Sequence, residues 1–217
     1  MASYDDFLSR VLPEVPGCAE ITALQAIKDA TIEFCEKSLI YQADHDPVSV
    51  AAKTADYDLD SPVADTRIIK IMKLWYSGNE LAASAPDQVS DPTLYNQQVG
   101  DYSTQYGTPR TFVQKDSETF SLFPIPERQL SNAITMRVAL APLRSATSCA
   151  DFLFEQFVEP IAAGAVSRLQ MTPNKAYSNP KLAGYYQGQY MVGVNDARQK
   201  ATRGFTRANL SVQMRRI

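Results

Sequence analysis

The apolar pattern of this chain changes period twice, from helical to strand-like and back, and that order limits the folds open to it. Ala23, Ile27, Ala30 and Phe34 fall at i, i+4, i+7 and i+11, one stripe of an amphipathic helix over residues 19–40. Lys28, Glu33, Glu36 and Lys37 lie off that stripe. A shorter helix over residues 4–12 precedes it and stops at Pro13, with Gly17 punctuating the turn. The helical period returns near the C-terminus. Phe154, Phe157, Ile161, Ala165 and Leu169 predict a helix over residues 151–170. Ser148, followed three residues later by Asp151, reads as a capping box, and Pro160 predicts a kink.

A third helix is expected over residues 180–203. Asn179 suits the N-cap and Pro180 the first helical position, while Arg198, Lys200 and Arg203 favour the dipole of the last turns and Gly204 caps the end. This helix carries Gly184, Gly188 and Gly193, each costing about 1 kcal/mol of propensity relative to Ala. Gly184 and Gly188, flanked by Tyr185, Tyr186 and Tyr190, would let another backbone approach closely. That backbone belongs either to a neighbouring helix of the same subunit or to a partner subunit.

Residues 47–146 hold eight of the 13 prolines and read as strands and loops. Residues 66–76 (TRIIKIMKLWY) are β-branched and aromatic, as in a well-covered strand. Residues 111–114 and 119–123 flank the turn KDSE, and residues 133–140 alternate, with Ile134, Met136, Val138 and Leu140 on one face. Residues 81–107 are polar and read as a long loop. The helices at the two ends need each other to bury their stripes. The expectation is therefore an α+β fold: a helical body (residues 1–46 and 147–204), an inserted antiparallel β domain (47–146) and an extended C-terminal arm (205–217). In that arm Leu210, Val212 and Met214 alternate with Ser211, Gln213 and Arg215, a strand pattern with no hairpin partner beside it, suited to joining a sheet elsewhere.

Net charge is −3, but it is unevenly spread. Residues 1–163 carry 12 basic and 23 acidic side chains, and residues 164–217 carry nine basic ones and a single acid, Asp196. Such a chain can bind copies of itself, basic end to acidic end, or meet a polyanion through its basic end. The acidic total argues against a whole surface that grips DNA. The longest apolar runs are too short to span a bilayer. Asp5 and Asp6 stand where a signal peptide would need positive charge. Cys18, Cys35 and Cys149 are widely spaced, without CxxC, and read as free thiols.

Chemistry-bearing motifs are sparse. The single histidine, His45, lies in ADHDP and reads as an exposed loop residue rather than a metal ligand. Asp56, Asp58 and Asp60 alternate in ADYDLDSP; they could hold Ca²⁺ on one strand face, but the mid-loop glycine and closing glutamate of an EF-hand are missing. A solvated face opposite Tyr57 and Leu59 accounts for them. No dinucleotide fingerprint, P-loop or HExxH occurs. Catalytic, cofactor-binding and metal-binding residues are therefore not expected. Arg203, Arg207, Arg215 and Arg216 could meet nucleic acid, but only Phe205 interleaves them, and pairing with acidic protein explains them better.

Taken in order, these segments resemble the head-to-tail connector (adaptor) proteins of tailed bacteriophages over nearly the whole chain. VLPEVPGC followed by ALQAIKDATIEFCEKSLIY is similar to the family's N-terminal helix, including its Phe-Cys pair, here Phe34 and Cys35. DPVSVAAKTADYDLDSP and RIIKIMKLWYSGNEL resemble the first strands of its β domain. GTPRTFVQKDSETFSLFPIPE resembles its hairpin and Pro-x-Pro element, Pro124 and Pro126. FVEPIAAGAVSRLQMTPNKAYSNPKLAGYYQGQYMVGVNDAR resembles its C-terminal helical pair, with Gly164, Ala165, Arg168 and Leu169.

The resemblance implies a virion neck protein without enzymatic activity or cofactor, assembled in the host cytoplasm. It implies a homo-oligomeric ring of about twelve copies beneath the portal protein. Tail or nozzle proteins would lie on the other side, and DNA would pass through the channel without sequence recognition. No membrane is involved. Gly184, Gly188, Leu210, Val212, Met214, Arg215 and Arg216 are the candidate interface residues. Two other readings stand beside it. A virion-associated carboxylate hydrolase would need a cleft with two perturbed carboxylates. A nucleic-acid-binding packaging ring would need a helix-turn-helix and steep salt dependence.

Overall fold

The computed structural model describes residues 1–85 and 106–204 of the chain. In chain order the strands are β1 (Ala2–Ser3), β2 (Gln42–Val50), β3 (Asp56–Asp58), β4 (Thr66–Tyr76), β5 (Asn79–Glu80), β6 (Ala82–Ala83), β7 (Tyr106–Gly107), β8 (Thr111–Gln114), β9 (Thr119–Phe123), β10 (Ile125–Pro126), β11 (Leu130–Pro142) and β12 (Ser148–Cys149). The α-helices are α1 (Leu8–Val11), α2 (Glu20–Ser38), α3 (Asp151–Gln170) and α4 (Pro180–Arg203), with 3-10 turns on either side of α1. This is an α+β chain. It divides into two compact units, Met1–Tyr41 with Pro142–Ile217, and Gln42–Ala141.

The first unit is helical. α2 buries Ala23, Ile27, Ala30 and Phe34 along its stripe, and Leu39 ends it in the left-handed conformation at φ 54°. α3 packs on both α2 and α4. Phe34 is the hinge of this core: its ring lies 5.2 Å from Phe157 and 6.2 Å from Tyr190. Burying one such side chain stabilises by roughly 1.5–3 kcal/mol. Pro160 cannot donate to the helix ladder and crowds the preceding turn. The distortion falls at Phe157, where φ −130° and ψ 19° leave the helical region.

The capping box expected at Ser148 and Asp151 does not form. Ser148 pairs with Ser3 in the β1–β12 ladder, and the N-cap of α3 is Ala150, with no side-chain cap. Asp151 instead pairs with the Met1 ammonium at 2.7 Å. A capping box is built at the other end of the chain, between Ser3 and Asp6. The caps of α4 are as the sequence suggests: Asn179 Oδ1 accepts from Leu182 N–H, Pro180 opens the helix and Gly204 closes it at φ 65°.

The described residues of the second unit form strands and their connections. One sheet has the order β2-β11-β4-β5 and another β3-β9-β8-β6, and β7 and β10 form a short parallel pair. Ile134, Met136, Val138 and Leu140 of β11 are all buried, while Thr135 and Arg137 are exposed. Ala139, expected on the outer face, is buried too. His45 is not in a loop. It lies on the edge strand β2, half-buried and opposite Met136, and its Nδ1 donates to the Asp46 carbonyl at 2.7 Å. The polar run ADHDPVS hides this strand because an edge strand tolerates charge and proline.

Asp56 is tied down rather than poised for a cation. It accepts from Lys115 Nζ at 2.8 Å and from Ser121 Oγ at 2.5 Å, and these bonds hold its carboxyl below the ordinary range. Tyr57 and Leu59 are buried between the exposed Asp56, Asp58 and Asp60.

Candidate subunit interface

α4 shows two unlike faces. Its inner side is Ala183, Tyr190, Val194 and Ala197, spaced 7, 4 and 3 apart and all buried. Tyr190 lies against Gly164 of α3, where an added Cβ would come within 2.6 Å of the ring. Its hydroxyl donates to the Ala30 carbonyl at 3.3 Å, and burial pushes its pKa well up. Gly193 meets Pro160 still more closely; a Cβ there would stand 2.3 Å from the proline Cβ. Ser167 Oγ of α3 donates to the Ala183 carbonyl at 2.9 Å. Small residues thus bring α3 and α4 into close approach, but the glycines responsible are Gly164 and Gly193.

Gly184 and Gly188 do something else. Both are exposed, and among the described residues an added Cβ at either meets no atom within 4 Å. Among the described residues, no helix of the same subunit packs closely on this pair. The reason is angular: at 100° per residue, both glycines point away from the stripe that carries Ala183 and Tyr190. Around them lie apolar side chains left outside, with Tyr185 60 % and Val192 70 % exposed and Leu182 and Met191 also open. Of these, Tyr185 stands out in the sequence as a flank of the glycine pair; Leu182, Met191 and Val192 do not.

The flank of this face is electrostatically set. Tyr186 donates to Glu14 Oε2 at 2.5 Å, and that bond pushes its hydroxyl up to about 12. Lys200 pairs with Asp196 at 2.8 Å. Nearby, Glu33 accepts from both Lys37 and Arg168; burial raises its pKa, but these two cations outweigh it and hold the carboxyl below its usual value. Leu210, Val212, Met214, Arg215 and Arg216, the remaining interface candidates, lie outside the described residues.

The open side of α4 carries exposed apolar side chains over about three helical turns, from Leu182 to Val192, with Gly184 and Gly188 among them; exposed apolar surface of this kind is a feature of protein–protein contacts. Among the described residues no three His, Cys, Asp or Glu side chains come together as a metal-binding group. No described helix is long and apolar enough to cross a membrane.

Comparison with known proteins found no curated relative that matches the chain. The family match is extensive, however: the SU10 adaptor protein family aligns with residues 2–215. An α+β chain matched to that family from end to end belongs to it, and this is a phage adaptor protein of the SU10 adaptor family.

Proposed function

We propose that the chain is a structural head-to-tail adaptor that forms a ring of about twelve copies beneath the portal. The ring joins the DNA-filled head to the tail or nozzle proteins in the virion neck and encloses a channel for DNA during ejection. It assembles in the host cytoplasm and acts without catalysis. The family match over residues 2–215 carries this reading. A closed ring needs two different patches on each subunit that meet each other. The open face of α4 around Gly184 and Gly188 supplies one such patch. The opposed charges of residues 1–163 and 164–217 supply attraction between unlike ends.

The test is to mix the purified chain with portal rings and measure native mass and electron-microscope images. The chain alone should be a monomer or weak oligomer, and a stacked ring should appear only with the portal. Ordering an arm of this kind costs about 1–2 kcal/mol per residue of backbone entropy, so closure waits for the template. A chain that stays monomeric beside the portal overturns the proposal. Removing residues 208–217 should leave the melting temperature of the isolated chain unchanged and abolish attachment, giving filled heads without tails. Normal particles from the shortened chain would take the arm out of the mechanism.

A further inference from the structure

No further inference is drawn: the strongest candidate, the groove between α3 and α4 lined by Phe157, Pro160, Val192 and Gly193, is an open apolar face, and nothing in the structure shows what covers it.

Discussion

Two pairs of glycines in the helical unit make opposite use of the same missing side chain. Gly164 and Gly193 lie where α3 and α4 touch, and a Cβ at either would stand well inside van der Waals contact distance of Tyr190 or Pro160. Gly184 and Gly188, on the same α4 as Gly193, have no atom of the described residues within 4 Å of where a Cβ would stand. All four lower helix propensity by about 1 kcal/mol. For the first pair, close packing within the monomer offsets that cost. For the second pair nothing among the described residues does, and the proposed contact with another subunit would supply the use for it. A glycine's environment, rather than its presence in a helix, decides whether its missing side chain serves the packing of its own subunit.

The comparison breaks most sharply at the packed pair. Gly193→Ala pushes a methyl into the rigid Pro160 ring, and Gly164→Ala pushes one into a Tyr190 ring that its hydroxyl bond holds in place. Overpacking of this kind costs about 1–3 kcal/mol, more than the propensity gained. Each variant should lower the melting temperature by several degrees, given about 2–4 °C per kcal/mol at this size. Unchanged melting would mean that α3 and α4 can separate freely.

Gly184→Ala and Gly188→Ala should do the reverse. The isolated chain should gain up to about 1 kcal/mol from each, read as a higher melting temperature, while ring formation on the portal weakens. Stabilised monomers that assemble normally would free this face from the interface. Tyr190→Phe comes next. It keeps the ring against Gly164 but leaves the buried Ala30 carbonyl without its side-chain donor, a loss of about 1 kcal/mol. Denaturant unfolding would measure it, and no loss would show that the ring's packing alone holds α2 to α4.

The smallest effect is acid sensitivity at Glu33. Its folded-state pKa is depressed, so its contribution is present above its ordinary value of 4.5 and is lost as pH falls through the lower folded value. Melting temperatures of the native chain should therefore fall more steeply below about pH 4.5 than those of Glu33→Gln. Parallel curves would show that Lys37 and Arg168 leave its ionisation unchanged by folding.

Much of the helical unit was legible in the sequence because its signals are local. Asn179, Pro180 and Gly204 mark the ends of α4, and the spacing of Phe157, Ile161, Ala165 and Leu169 marks α3. What escaped depends on partners distant in sequence. Ser148 has the chemistry of a cap, but Ser3 claims its backbone for a strand. β2 looks like a loop because its ladder with β11 joins residues about ninety positions apart. The interface candidates divide the same way. Gly184 and Gly188 stood out by spacing, yet which way they face follows from which α4 residues meet α2 and α3.

The helical unit is assembled from the two ends of the chain, with Gln42–Ala141 between them, and this sets a timetable at the ribosome. α2 is finished by Ser38, but its main partner α3 is complete only at Gln170. At 5–20 residues per second, the interval is roughly 7 to 26 seconds. Throughout that wait α2 has only the short N-terminal turns to pack on, and Phe34 lacks the Phe157 and Tyr190 rings, whereas the strand unit, contiguous in sequence, can close on its own. Birth order therefore runs inside out: the middle of the chain folds first, and the N-terminal helix spends its early life as an adhesive surface that a chaperone can hold.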